Sequence, residues 1–232
     1  MPRTCVFIDG FNLYYSRLRR TPYKWLDVVT LFRDDILKVQ DPHTQLARVS
    51  YFTAPVKASY ASHGTASEQG QTQYHRALKA RHADTLHIVQ GFHTFEVASL
   101  PAHTAGVPAN KSARNAVWMI EEKQTDVNLA LAVYRAAVRG DCEQIVVCSN
   151  DGDVEPALKM VRADCPGIRI GLVLPLPEPE PNRARFANQR LTAQAHWVRH
   201  YIRDEELARL KPSRGLRVCV DLSAGSSLNS HT

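Results

Sequence analysis

The sequence predicts an α/β protein, a three-layer α/β/α sandwich built on a mostly parallel central sheet. Short apolar runs that read as buried strands alternate along the chain with stretches whose apolar residues recur every three to four positions. The clearest runs stop abruptly at polar turns, as in Val6-Phe7-Ile8-Asp9-Gly10 and Val146-Val147-Cys148-Ser149-Asn150-Asp151, which is how strands covered on both faces end. Strands joined through helices pair in parallel with right-handed crossovers, and this fixes the layering.

Thr4 to Ile8 is the first strand and places Asp9 at its tip. Asn12 can cap a helix through Tyr14, Tyr15 and Leu18, and Asp27 to Val39 forms a second helix with Val28, Leu31, Phe32, Ile36 and Leu37 on one face. Arg48 to Thr53 is the next strand. Ser67 to His82 has helix propensity and sets Tyr74, Leu78 and Arg81 on neighbouring turns, and Leu86 to Val89 and Phe92 to Val97 are short strands around Gly91. Ala98 to Ala113, with Pro101, Gly106, Pro108, Asn110 and Ser112, reads as an exposed loop. Asn115 to Ile120 resumes strand character, and Asp126 to Val138 is a helix whose broad apolar face (Val127, Leu129, Leu131, Val133, Tyr134, Ala137) is expected to be largely buried. Gln144 to Ser149 is a buried strand, Val154 to Arg162 a helix, and Gly167 to Leu174 a strand closed by the proline-rich Pro175 to Pro181. One domain over residues 1–211 is expected, with an insertion around 55–113. Residues 212–232 read as a tail in which 216–222 can form an edge strand, within the chain or in a second copy, so a homodimer stays open.

Composition narrows the function classes. The 232 residues are 44% hydrophobic and 22% charged, a globular balance, and no apolar run approaches the roughly 20 residues of a membrane helix. The start lacks the apolar core of a secretory leader, so a cytoplasmic protein without a membrane partner is expected. The net charge of +6 suits a polyanion. Five cysteines, Cys5, Cys142, Cys148, Cys165 and Cys219, form no C-x-x-C pair and read as free thiols of a reducing compartment. The ten histidines fit no zinc spacing beyond His196 and His200, which have no cysteine or acidic partner nearby in sequence. P-loop, dinucleotide and nucleophile-elbow motifs are absent.

Functional groups in open α/β sheets collect at the carboxyl ends of strands, and here the residues in those places are acids. Asp9 ends the first strand, Glu121, Glu122 and Asp126 follow the strand at Val117 to Ile120, and Asp151 and Asp153 follow the strand at Ile145 to Cys148. Each acid alone also suits a turn or a helix cap. Together they raise one another's pKa unless a cation neutralises them, which points to hard Mg²⁺ or Mn²⁺ held by few carboxylates and by substrate phosphate. Water on such an ion, beside a phosphodiester, is then the expected nucleophile of an in-line hydrolysis.

At Val6-Phe7-Ile8-Asp9-Gly10-Phe11-Asn12-Leu13-Tyr14, at Glu121-Glu122-Lys123-Gln124-Thr125-Asp126-Val127-Asn128-Leu129-Ala130 and at Ser149-Asn150-Asp151-Gly152-Asp153-Val154, the sequence resembles the NYN domain family, in its LabA-like bacterial branch. The resemblance runs from about Thr4 to about Leu174, with a weaker echo at 206–212. It implies a PIN-like, Rossmann-like fold and metal-dependent phosphodiester hydrolysis, most often of RNA. It further implies Asp9, Asp126, Asp151 and Asp153 as metal-binding and catalytic acids, and Lys123 as the lysine of a Glu-Lys pair at the scissile phosphate. Asn12 and Ser149 match positions that orient a ligand or bind substrate. Gln124 departs from the pattern, standing where glycine is more usual.

Arg17, Arg19, Arg20, Lys24, Lys57, Arg76, Lys79, Arg81, Lys111 and Arg114 are candidate phosphate contacts, and Tyr14 or Tyr15 can stack on a base. The leading expectation is a Mg²⁺- or Mn²⁺-dependent nuclease, an endoribonuclease with RNA preferred over DNA. The alternative is an RNA-binding or regulatory module of the same fold that cleaves nothing of consequence. An aspartyl phosphatase is disfavoured, because Phe11 stands where its second aspartate belongs.

Overall fold

A computed structural model describes residues 1–108, 110–179 and 187–210. The expected tail at 212–232 and its edge strand at 216–222 lie outside the described residues. Six strands form one sheet that is parallel throughout, in the order β3-β2-β1-β6-β7-β8. They are β1 (Arg3–Asp9), β2 (Gln45–Thr53), β3 (Leu86–Gln90), β6 (Gln144–Cys148), β7 (Arg169–Val173) and β8 (Trp197–Arg199). A separate antiparallel hairpin pairs β4 (Phe92–Pro101) with β5 (Arg114–Lys123).

The period of two along a strand sorts β1 into two faces. Val6 and Ile8 face a core made with Val28, Leu31, Phe32 and Ile36, whereas Cys5 and Phe7 face one made with Leu129, Val133, Leu158 and Leu191. The first layer consists of α1 (Gly10–Leu13) with π-helical turns over Tyr14–Leu18, α2 (Val28–Thr30) with π-helical turns over Leu31–Leu37 and α3 (Lys38–Gln40), then α4 (Thr65–Arg81) and the late α8 (Asp204–Arg209). The second layer holds α5 (Thr125–Val138), α6 (Glu155–Asp164) and α7 (Gln189–Thr192). The three-layer sandwich is therefore formed as expected.

Three details differ from the sequence expectation. The strand at 115–120 is not in the central sheet: it is part of β5, and residues 98–101, expected in a loop, extend β4 so that Pro101 faces Arg114 across the hairpin. Most residues of both strands are exposed, as suits a two-stranded arm that no layer covers. Second, α4 and β3, within the segment 55–113, belong to the central layers. Third, α5 is buried on one side only. Leu129, Val133, Ala136 and Ala137 pack on the sheet, but Val127, Leu131 and Val138 are exposed, because the sheet under α5 offers one face to a helix that is apolar on more than one. Among the described residues no helix is long and apolar enough to cross a membrane, and the four described cysteines are free thiols.

Candidate functional site

The strand order reverses between β1 and β6: the chain moves outward through β2 and β3 on one side, then through β7 and β8 on the other. A crevice opens at the carboxyl ends of the two strands flanking such a reversal. Asp9 ends β1 in register two positions from Phe7, so it lies on the α5 side of the sheet, and Ser149 stands in the same relation to Val147 on β6.

Asp9 is 3% exposed. Its Oδ1 accepts the Asn12 N–H at 2.8 Å, making Asp9 rather than Asn12 the cap of α1, and its Oδ2 accepts the Ser149 Oγ–H at 2.9 Å. Gly10 is required next to it, since a Cβ there lies 2.5 Å from the Phe52 carbonyl oxygen and 2.8 Å from the Tyr51 ring. The Ser149 hydroxyl also accepts the Asp151 N–H at 3.0 Å, so one buried hydroxyl links two acids. Asp151 caps the 3₁₀ turn over Gly152–Val154 through its Oδ1, which accepts the Asp153 N–H at 3.1 Å. Asn12 Oδ1 accepts the Asn150 N–H at 3.1 Å, and Asn150 Oδ1 accepts the Asn188 N–H at 2.8 Å, tying the loop after β6 to α1 and to the start of α7.

Asp126 arrives from the other layer, in the first turn of α5, where the helix N-terminus favours an anion. Gln124 caps that helix with φ +75°, the left-handed region that favours glycine, which fits the glycine the family resemblance puts there. Glu122, on β5, accepts from the Thr125 N–H at 3.0 Å and from the Thr125 hydroxyl, locking hairpin to helix. Burial, with the charges of Asp9, Asp151, Glu122 and Asp153, pushes the Asp126 carboxyl up to about 6. Burial first and Asp151 among the nearby groups raise the Asp9 carboxyl as well, against the hydrogen bonds from Asn12 and Ser149. The four expected aspartates thus share one electrostatic neighbourhood. Among the described residues no three His, Cys, Asp or Glu side chains close into a cage for an ion. The donors are hard carboxylate oxygens with unused lone pairs, the set that suits Mg²⁺ or Mn²⁺, ions that keep much of their water.

Other expected residues are placed elsewhere. Arg17 is buried, and its guanidinium donates to the Ile202 carbonyl at 2.9 Å and to Asp204, so it anchors the α8 segment instead of reaching substrate. Lys123 bonds to Glu121, which raises its pKa, and both belong to the hairpin face opposite Glu122. Arg81 pairs with Asp27 at 3.3 Å, where α4 leads into the amino end of the sheet, away from the acids. His196 accepts the Ile170 N–H at 2.9 Å and is structural.

Aromatic rings extend from the acid cluster. Tyr14 lies edge-on to Tyr15 at 5.2 Å, Tyr15 stacks with Phe11 at 6.4 Å, and Phe11 meets His93 of β4 edge-on at 5.8 Å. His93, Phe95, Val97 and their partners Ile120 and Trp118 share one face of the hairpin; Tyr60 stacks on Phe95, and Trp118 is 68% exposed. Arg19 lies 5.3 Å above the Tyr15 ring. Sequence reasoning missed Thr125, Asn188 and this arm. An alternation of aromatic and β-branched residues over 92–97 and 117–120 was the available signal for the arm.

Residues 3–189 match the family model described as the NYN domain. The chain is 38% identical over 221 residues to the 6-hydroxy-3-succinoylpyridine 3-monooxygenase HspA of Pseudomonas putida (strain DSM 28022 / S16), a match covering 89% of this chain and 69% of that protein. Among solved structures it is similar, with a TM-score of 0.48 and 14% identity, to a protein of unknown function, VPA0982, from Vibrio parahaemolyticus RIMD 2210633, over 88% of this chain and 94% of the other. The match over most of its length, at the strands and helix that carry the acids, shows that the chain belongs to the NYN domain family.

Proposed function

We propose that the chain is a Mg²⁺- or Mn²⁺-dependent nuclease that cuts RNA internally. The observation that carries this reading is the gathering of Asp9, Asp126 and Asp151, with Asp153 and Glu122 beside them, at the sheet reversal of a protein with net charge +6. Like charges gathered around a buried Asp9 are costly and are kept where a cation is to be held. Asp9, Asp126, Asp151 and Asp153 would hold it; when bound, the ion supplies Lewis acidity that lowers the pKa of water and offsets charge on a phosphoryl group. Ser149 and Asn12 keep Asp9 and the loop after β6 in place, because each spans the crevice by a hydrogen bond. Without a cation the neighbouring acids and burial hold the Asp126 carboxyl near 6, a cost that a bound cation would relieve. Lys123 reaches a phosphate only by leaving Glu121. Tyr14, Tyr15 and the hairpin rings offer faces to unpaired bases. Placement in the LabA-like branch and preference for RNA over DNA belong to this proposal.

A second reading, oxygenation of a hydroxylated pyridine, is favoured by the 38% identity to the named monooxygenase. It requires dioxygen and an electron donor as co-substrates. The deciding experiment incubates purified protein and Asp151→Asn with labelled single-stranded RNA, structured RNA and DNA in Mn²⁺, Mg²⁺ or chelator. Metal-dependent cleavage lost in the variant supports the nuclease. No cleavage with binding intact in both proteins overturns it in favour of a binding module, and reductant-dependent oxygen uptake with 6-hydroxy-3-succinoylpyridine overturns it in favour of the second reading.

A further inference from the structure

At the amino end of the sheet, opposite the acids, four arginines converge on one cavity. Arg3, Arg48, Arg135 and Arg139, with His87 and a single carboxylate, Asp141, line a cavity of about 310 Å³. It is separated from Asp9 by the length of β1, about 20 Å at roughly 3.3 Å per residue, so it is not part of the candidate metal centre.

Local structure explains the convergence. The β1–β2 register slips between Thr4 and Cys5: Thr4 faces Leu46 but Cys5 faces Arg48, leaving Ala47 as an extra residue. Such a bulge re-aims the side chains beside it, and both Ala47 and Arg48 line the cavity. The last turns of α5 deliver Arg135 and Arg139, and Gly140, with φ +65°, turns the chain away.

The charges do not balance internally. Asp141 meets Arg48 at 3.3 Å and Arg139 only at 3.9 Å. Glu143, just outside, accepts the Arg3 backbone N–H at 2.6 Å. The carboxyl end of α5 adds roughly half a negative charge. Four guanidiniums exceed that sum, and among the described residues Arg3 and Arg135 have no carboxylate partner within ion-pair distance. Arg48 Nε is buried and donates to nothing. That Nε is closed off from solvent, so the groups left for an anion to meet are the guanidiniums of Arg3 and Arg135, and guanidinium forks match phosphoryl oxygens two at a time. Arg135 and Arg139 also border a second groove, of about 560 Å³, whose walls include Leu131, Tyr134 and Val138. An anion seated among the arginines therefore has an apolar bed beside it for the rest of its molecule.

We propose that this cavity binds a phosphate monoester, with the phosphoryl group among Arg3, Arg48, Arg135 and Arg139 and the ester body on the Tyr134 groove. The phosphate belongs to a free mononucleotide or to the 5′ end of a strand. The test titrates the full chain, in chelator at low ionic strength, with adenosine 5′-monophosphate, adenosine, and a short RNA with or without a 5′ phosphate, followed by calorimetry. Saturable binding that is about tenfold or more tighter with the phosphate than without is expected. Arg135→Gln and Arg48→Gln should weaken it by a similar factor, and Asp151→Asn should leave the ratio of phosphorylated to unphosphorylated binding as in the wild type. Arg135 is on the exposed side of α5, so its variant carries the test even where Arg48→Gln fails to fold. Which of the two phosphorylated probes binds assigns the source. Equal binding of phosphorylated and unphosphorylated probes, no saturable binding, or an Arg135→Gln protein that binds as the wild type does overturns the proposal.

Discussion

Replacing Asp126 by asparagine should stabilise the metal-free protein, because the fold penalises that charge. Burial, then Asp9, Asp151, Glu122 and Asp153, lift the carboxyl from 3.8 to about 6. At about 1.36 kcal/mol per pH unit, the difference between about 6 and 3.8 corresponds to about 3 kcal/mol of unfavourable ionisation. The side chain is only partly buried, so solvent screening reduces the usable figure to about 1–2 kcal/mol. A raised folded-state pKa contributes stability that is full below the unfolded value near 3.8 and lost as the pH rises through about 6. Asparagine has no such proton to lose. Urea denaturation in chelator should therefore find Asp126→Asn more stable by about 1–2 kcal/mol at about pH 8, the gap shrinking as the pH falls below about 6. Millimolar Mn²⁺ or Mg²⁺ should then stabilise the wild type and not the variant, narrowing the gap at pH 8. A variant less stable than wild type in chelator at pH 8, or a gap that ignores pH, would refute the electrostatic argument and with it the reason for placing a cation there.

Ser149→Ala removes the hydroxyl that joins Asp9 to Asp151 and should cost about 1–3 kcal/mol by urea denaturation, with metal-dependent cleavage slowed but still measurable. Gly10→Ala sets a methyl 2.5 Å from the Phe52 carbonyl oxygen and should lower stability by about 3 kcal/mol or more, seen as a thermal midpoint about 10 °C lower. Gln124→Gly relieves a left-handed backbone and should raise stability by up to about 1 kcal/mol in the same melt, with cleavage retained. Trp118→Ala, on the exposed arm, should leave the melt unchanged and weaken single-stranded RNA binding by about 1–3 kcal/mol in a chelator-treated filter-binding assay.

The layered fold was legible because its signals are local. Continuous apolar runs ending in Asp9 and in Ser149-Asn150-Asp151 mark buried strands by themselves, and the second helical stretch opens at Asp27 as expected, where the structure adds a cap from Asp27 to the Thr30 N–H. The hairpin was not, since its strands carry the same short alternation as a sheet edge, and which partner each takes depends on a chain path that periodicity does not encode. The same limit applies to charge. Arg17 follows the first acid closely in sequence, yet the turns over 14–18 rotate it inward to Ile202 and Asp204, distant residues that no spacing rule connects to it. Gln124 was visible as a departure from the family pattern, but only the backbone angle gives the reason for the glycine.

The hairpin also changes how the acid site is assembled. Asp9 and Asp151 are fixed by the central sheet, through Ser149 and through strands buried on both faces. Asp126 is fixed by the chain that returns from β5, and the short segment between them is held by Glu122 bound to Thr125. The half of the site contributed by α5 is thus fastened to the same arm that presents Phe95 and Trp118. A strand of nucleic acid stacked on those rings would bear on β5, and a shift of β5 would be felt at Glu122, Thr125 and then Asp126 before it reached the sheet. Double substitution of Trp118 and Glu122 should accordingly be non-additive in cleavage rate, whereas Trp118 paired with Ser149, which is anchored in the sheet, should be additive within about 0.5 kcal/mol. Additivity in both pairs would mean that the arm only tethers substrate and has no part in setting the acids.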